Sequence, residues 1–324
     1  MKAAFLDFDS LGPADLDTSA LRTALPGIEL FPSSTGPEID RRIAGKEVLL
    51  VNKVRLDRAR LQSVPELRLV CLAATGTDNV DLAAAGDLGI AVCNVRDYGT
   101  ASVVQHVFGL LLTLTLRLGE YRKLLASGAW QRSPHFCLLD FPVRELADKT
   151  LGIVGYGTLG QAVAVVGRAF GMRVVASHSA RPAGSVPLPG VDRLALPALL
   201  GCADVVSLHC PLTPVTRQLI NRDTLRLMRS DAVLLNTARG DLVDYMALLA
   251  ALQSGQLGGA GIDVLPEEPP AVGHPLLAAQ LPNLIVTPHV AWAARESRQR
   301  LLDEVVANVR DFLAGGNRNR VDLG

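Results

Sequence analysis

Leu151-Gly-Ile-Val-Gly155-Tyr-Gly157-Thr-Leu-Gly160 is an apolar strand running into glycines spaced Gly155-x-Gly157-x-x-Gly160 and then into a helical pattern. The first glycine permits a tight turn, the second lets a pyrophosphate approach the backbone, and the third lets helix and strand pack closely. The helix N-terminus adds free N–H groups and a partial positive charge for phosphate oxygens. Glycine-rich chains produce this spacing by chance at ordinary strand–helix turns. Here a strand precedes, a helix follows and the next strand arrives at Arg173–Ala176, which is the context of a dinucleotide-binding loop.

Working outward, short runs rich in Val, Ile and Leu alternate with helical stretches. Ala3–Phe8, Val48–Asn52, Leu67–Ala73 and Ile90–Cys93 read as buried parallel strands of a first unit, with helices over Ala14–Leu25 and Leu56–Val64. Around the glycine loop, Leu151–Val154, Arg173–Ala176, Val205–Leu208, Ala232–Leu235, Ala260–Val264 and Leu284–Val286 read as strands of a second. Tyr245–Gln253 has Asp244 as a cap and Gly255 as a stop. The alternation predicts an α/β chain with two Rossmann-like, doubly wound parallel-sheet domains. Arg295–Leu313 is an amphipathic helix with no sheet of its own, and the tail is expected to end without another strand. The helix is therefore assigned to the first domain, which becomes discontinuous: residues 1–98, completed by 290–324, around a dinucleotide-binding domain of residues 99–289.

Composition narrows the function classes. The chain has 324 residues, 49% of them apolar, enough for two cores. Lys plus Arg and Asp plus Glu each number 32, so no net field draws the chain to nucleic acid or an anionic membrane. Five scattered cysteines without metal-ligand spacing read as free thiols of a reducing, cytoplasmic compartment, and no metal is expected. The start, Met1–Ser10, carries Asp7 and Asp9 and is not a signal peptide. Val103–Leu118 is strongly apolar but short for a membrane span, and a buried helix is expected there.

Three segments end strands on the side where such sheets bind ligands. In Asn236-Thr-Ala-Arg239-Gly240, the planar guanidinium of Arg239 suits a carboxylate. In Asp263-Val-Leu-Pro-Glu267-Glu268-Pro269-Pro270, a prolyl loop holds the Glu268 carboxylate, with Glu267 an ordinary surface acid. In Thr287-Pro-His289-Val-Ala-Trp292, His289 follows the last strand. Each alone has a plain alternative: an arginine in a turn, an acidic loop, a histidine leaving a sheet. Together they form a set for reducing a 2-oxo acid, in which a histidine gives the carbonyl oxygen a proton, a carboxylate fixes its tautomer and an arginine anchors the substrate. His106 reads as a satisfied core or interface residue, and His209, beside Cys210-Pro211, as lining a cofactor rather than acting as an acid. The acid that grips a ribose 2′-hydroxyl after the second strand is missing. Ser177-His178-Ser179-Ala-Arg181 stands there instead and can accommodate a 2′-phosphate, which makes NADP(H) usable without excluding NAD(H).

These segments, with Ala74–Asp81, Cys93–Thr100 and His209–Thr216, resemble the D-isomer-specific 2-hydroxyacid dehydrogenases over nearly the whole chain. The resemblance implies that Arg239 binds substrate, Glu268 orients the histidine and His289 is the acid/base. It implies that backbone at Thr75, Gly76 and Thr77 holds the substrate carboxylate. It further implies that Gly155, Tyr156, Gly157, Thr158, Leu159, Gly160, Ser177, His178, Ser179, His209, Cys210, Thr237, Ala238 and Asp263 line NAD(H) or NADP(H). A homodimer is implied, built largely from residues 102–148, where Trp130, Phe136 and Phe141 read as exposed. Ser133–Asp140 and Thr287–Ala293 are similar to the bacterial glycerate dehydrogenase/hydroxypyruvate reductase group, which implies hydroxypyruvate or glyoxylate as substrate. A phosphoglycerate or formate dehydrogenase, or a non-catalytic dinucleotide-sensing binding protein, are the alternatives on the same scaffold.

Overall fold

The computed structural model describes residues 1–178 and 190–322; Ser179 and Arg181 of the ribose stretch lie outside them. The chain divides into two compact units, one of residues 1–99 and 292–324, the other of residues 100–291.

The first unit contains β1 (Ala3–Phe5), α1 (Ser19–Ala24), β2 (Glu29–Leu30), α2 (Pro37–Ile43), β3 (Val48–Val51), α3 (Arg58–Gln62), β4 (Leu69–Leu72), α4 (Leu82–Asp87) and β5 (Ala91–Cys93). Its strands form a parallel sheet in the order β2-β1-β3-β4-β5. Every residue of β3 and β4 is buried, as a strand covered on both faces requires.

The second unit contains α5 (Thr100–Thr115), α6 (Leu118–Ala126), β6 (Thr150–Val154), α7 (Thr158–Ala169), β7 (Arg173–Ser177), β8 (Asp192–Leu194), α8 (Leu196–Cys202), β9 (Val205–Leu208), α9 (Arg222–Leu227), β10 (Val233–Asn236), α10 (Tyr245–Gln253), β11 (Gly259–Ile262), α11 (Pro275–Ala278) and β12 (Leu284–Val286). The sheet is parallel throughout, in the order β12-β11-β10-β9-β6-β7-β8. The strand order reverses at β6, so the crevice beyond the carboxyl ends of β6 and β9 is the topological switch point, where such sheets bind ligands.

The last helix, α12 (Arg295–Leu313), returns to the first unit, where Leu301, Leu302, Val305, Val306 and Val309 join the core under β1, β3 and β4. Its apolar residues recur every three or four positions, which gives one stripe to bury. The apolar helix α5 packs inside the second unit against α7 and β10–β12, with Val103, Val107, Phe108, Leu110 and Leu111 buried. Among the described residues no single helix is long and apolar enough to cross a membrane.

Three expectations change. The helix over Ala14–Leu25 begins only at Ser19, because Pro13–Asp15 takes a 3-10 turn. Leu56 belongs to a parallel bridge with Val80 and not to a helix, which starts at Arg58 behind the Asp57 cap. The tail is not wholly without sheet contact: Arg320 forms an antiparallel bridge with Cys93, and the Val321 amide donates to the Val92 carbonyl at 2.9 Å.

Candidate active site

In a parallel sheet all strands point their carboxyl ends to one edge. That topology brings the loops after β6, β7, β9, β10, β11 and β12 to one side of the second unit.

The glycine loop follows β6. Gly155 has φ +96°, and a Cβ there would meet the Cys210 amide nitrogen at 2.4 Å, so the turn lies flat against the chain leaving β9. The His209 amide donates to the Val154 carbonyl at 2.7 Å and holds the two strand ends together. A Cβ on Gly160 would meet the Gly155 carbonyl oxygen at 2.2 Å, which is the close helix–strand approach. Gly157 differs: its φ is −83° and a Cβ would meet nothing within 4 Å. Among the described residues nothing demands glycine there, which fits a group that lies on the loop from outside. Thr158–Ala169 then starts a twelve-residue helix with no side-chain cap, leaving its first amides for an anion. The loop therefore fits the pyrophosphate of a dinucleotide. Gly160→Ala is expected to destabilise the protein by about 1–3 kcal/mol through overpacking and to weaken dinucleotide binding at least about tenfold. Urea unfolding and titration with NADH or NADPH measure both; unchanged binding would contradict the fit.

The remaining cofactor candidates are distributed unevenly. Ser177 ends β7 and His178 follows it, its amide on the Leu194 carbonyl at 2.9 Å. Thr158 is exposed, whereas Leu159 is partly buried against the core. The Tyr156 ring is buried in the core of the unit. Burial pulls the His209 imidazole down to about 4, and its Nε2 lies 2.8 Å from the Ser207 hydroxyl. A ring neutral above about pH 5 and held by a neighbour is not a proton donor near neutrality. Burial pushes the Cys210 thiol up, which keeps it unreactive. Thr237 and Ala238 follow β10; the Thr237 hydroxyl is buried with no hydrogen-bond partner among the described residues.

Asp263 has a role the sequence did not disclose. It is buried after β11 and gathers the chain leaving β12: the Thr287 hydroxyl donates to Oδ1 at 2.6 Å, the Val290 amide to Oδ1 at 2.9 Å and the Ala291 amide to Oδ2 at 2.9 Å. His106 on α5 stands behind, Nε2 2.9 Å from the Thr287 hydroxyl and 3.4 Å from Asp263 Oδ1. Burial alone would raise the Asp263 carboxyl. Hydrogen bonds from His106, Thr287 and the two amides outweigh it and hold the group below the usual carboxylate range.

This clamp sets the backbone of His289. Its φ is +54°, in the left-handed region that costs a non-glycine residue roughly 1–2 kcal/mol. The His289 amide donates to the Asp263 carbonyl at 2.8 Å, which holds the residue there. Strain of this kind, kept by its surroundings, concentrates at functional positions. The ring reaches Glu268, Nδ1 to Oε2 at 2.6 Å, with both side chains about one-third exposed. The other carboxylate oxygen of Glu268 accepts the Leu265 amide at 2.8 Å, which fixes the carboxylate from behind.

Arg239 joins the same group of loops. A Cβ on Gly240 would meet the Leu265 carbonyl carbon at 2.0 Å, so the arginine turn lies directly on the backbone that leads to Glu268. Asn236 shapes that turn, donating to the Arg239 carbonyl at 2.9 Å and accepting from the Ala238 amide at 3.1 Å. The Arg239 guanidinium is half-buried and donates to the Ala238 carbonyl at 2.8 Å. A cation, a carboxylate and a histidine thus share one end of the sheet with the dinucleotide loop.

A sequence profile of the D-isomer specific 2-hydroxyacid dehydrogenase family, NAD binding domain, matches residues 108–291. The chain belongs to this family. Its similarity to a glycerate dehydrogenase of Methylorubrum extorquens is 43% identity over 99% of both chains. A hydroxypyruvate reductase of Blautia hydrogenotrophica is 36% identical over 99% of this chain and all of the relative. The fold matches that of the TT0316 protein of Thermus thermophilus, with TM-score 0.87, 37% identity and coverage of 99% and 100%. It also matches a D-lactate dehydrogenase of Aquifex aeolicus complexed with NAD and lactic acid, with TM-score 0.84, 28% identity and full coverage of both chains. The protein is a 2-hydroxyacid dehydrogenase with a nicotinamide dinucleotide, NAD(H) or NADP(H), as cofactor.

In the first unit of this dehydrogenase, Thr75, Gly76 and Thr77 follow β4. Asn94 donates to the Thr75 carbonyl at 2.7 Å, and the Asn308 side chain on α12 donates to the Asn94 carbonyl at 2.8 Å, so the returning helix braces this loop. Arg193 on β8, which no motif in the sequence marks, lies against the Tyr156 ring of the glycine loop. Its strand of three residues gave no apolar run to mark it; a basic residue shortly after an acid-free ribose stretch was the available signal.

Proposed function

We propose that this dehydrogenase reduces hydroxypyruvate, and glyoxylate more slowly, to the D-2-hydroxy acid, with His289 as acid/base, Glu268 as its orienting partner and Arg239 as the substrate anchor. The observation that carries this reading is the 2.6 Å pair of Glu268 and His289 beside the Arg239 turn. Full-length similarity to a glycerate dehydrogenase and a hydroxypyruvate reductase supports the substrate class.

Glu268 accepts from Nδ1–H of His289, so the exchangeable proton sits on Nε2. The carboxylate also stabilises the imidazolium, the form that donates during reduction and re-forms during oxidation. The guanidinium of Arg239 matches a carboxylate with two parallel N–H donors and draws electron density from the adjoining carbonyl. When bound, the reduced nicotinamide supplies the hydride for the carbonyl carbon. The amides at Thr75, Gly76 and Thr77 are assigned to the substrate carboxylate.

The protein is further proposed to act as a cytoplasmic homodimer. Five free cysteines fit a reducing compartment. Phe136 and Leu139 are 90% and 86% exposed, and Trp130 and Val143 are also exposed, as a surface meant for association would have them. Phe141, which the sequence suggested as exposed, is only half-exposed and packs edge-on against Tyr121.

The test is a matrix of hydroxypyruvate, glyoxylate, pyruvate and phosphohydroxypyruvate against NADH and NADPH. Hydroxypyruvate is expected to give the highest kcat/KM, with glyoxylate next. A preference for the phosphorylated acid would replace this reading by a phosphoglycerate dehydrogenase.

A further inference from the structure

The guanidinium of Arg193 bridges the end of β7 and the ring of Tyr156 in the glycine loop. Its Nη1 donates to the Ser177 carbonyl at 2.9 Å, at the carboxyl end of β7, and its Cζ lies 4.6 Å from the centre of the Tyr156 ring, between Gly155 and Gly157. The backbone sets this up. β8 runs parallel to β7 with Leu194 opposite Ser177, and the His178 amide donates to the Leu194 carbonyl at 2.9 Å. The buried aromatic face beneath fixes the plane of the guanidinium, a favourable cation–π arrangement.

Charge and valence point outward from there. The neighbouring Asp192 pairs with Arg173, at 3.1 Å, and Arg193 has no carboxylate partner among the described residues. A guanidinium has five N–H donors, and among the described residues the Ser177 carbonyl takes one. In this fold the residue after the second strand decides the fate of the ribose 2′ position: an acid there accepts from a hydroxyl and repels a phosphate. Here that position is His178, with a pre-oriented cation beside it.

We propose that Arg193 recognises the 2′-phosphate of NADP(H), so that the chain binds the phosphorylated dinucleotide in preference to NAD(H). The proposal rests on the dinucleotide reading of the glycine loop and specifies its ribose end. An arginine fork held by an aromatic face and a carbonyl loses little freedom when it binds, so its donors go to phosphate oxygens at small entropic cost.

Calorimetric titration of the wild-type protein, Arg193→Ala and Arg193→Lys with 2′,5′-ADP and with 5′-ADP tests this without turnover. The wild type is expected to bind 2′,5′-ADP at least about tenfold more tightly than 5′-ADP. Arg193→Ala is expected to lose about 10- to 100-fold for 2′,5′-ADP while 5′-ADP changes by less than about twofold, with Arg193→Lys between. Equal loss for both nucleotides would overturn the proposal and reduce Arg193 to a prop for β7. A wild type that prefers 5′-ADP would overturn it as well. If neither nucleotide bound the wild type, the dinucleotide reading itself would fall.

Discussion

His289→Asn lowers kcat for 2-oxo acid reduction by about 10²- to 10⁴-fold, the range a positioned general acid contributes, and leaves the Kd for the dinucleotide within about twofold. Asparagine is the informative replacement because it tolerates the left-handed backbone that His289 adopts at φ +54°. Alanine would add backbone strain to the chemical loss. The loop does not need the imidazole for its shape: Asp263 holds Thr287, Val290 and Ala291 through its own carboxylate, and its carbonyl holds the His289 amide. A loss of turnover with intact binding and intact stability therefore reports the proton. A kcat within tenfold of wild type would remove His289 from the mechanism and leave the histidine–carboxylate pair without a function. Rapid-mixing kinetics at saturating dinucleotide separate the chemical step from product release.

Arg239→Gln is the second large effect, about 10²- to 10³-fold in kcat/KM, with a rise in the KM for the oxo acid. Glutamine keeps length and polarity but loses charge and fork. Arg239→Lys keeps the charge and is expected to recover only part of the loss, since a point charge does not reproduce two parallel donors. The turn itself survives either change, because Asn236 and the packing of Gly240 on Leu265 and Pro266 set its backbone. If Arg239→Gln kept the wild-type KM and kcat, the substrate anchor would have to lie elsewhere.

The strands the sequence disclosed most clearly are those buried on both faces, although Leu284–Val286, a half-buried edge strand, was also marked by its apolar run. Val48–Val51 and Val205–Leu208 are fully buried runs of four, and such runs have few other uses. The strands it concealed, Glu29–Leu30 and Asp192–Leu194, sit at sheet edges, are two and three residues long and carry charge. α1 starts later than its apolar periodicity suggests because the turn at Pro13 is a local choice that periodicity does not report. At the site, it was legible that the loops carrying Arg239, Glu268 and His289 gather at one end of the sheet, because a parallel sheet aligns the ends of all its strands. The Asp263 clamp, the bracing of the Thr75 loop by Asn94 and Asn308, and Arg193 on the Tyr156 ring were not. Each depends on a contact between segments far apart in sequence, and no spacing rule reports such a contact.

Hydride transfer between a nicotinamide and C2 of a small 2-oxo acid leaves an isotopic record in the product. The most direct measurement supplies the enzyme with hydroxypyruvate and reduced nicotinamide cofactor deuterated at its transferable position, followed by mass spectrometry and chiral analysis of the product. The expected product is D-glycerate carrying one deuterium at C2, and that product is lost in His289→Asn. Glycerate without deuterium, or a product of the opposite configuration, would contradict it.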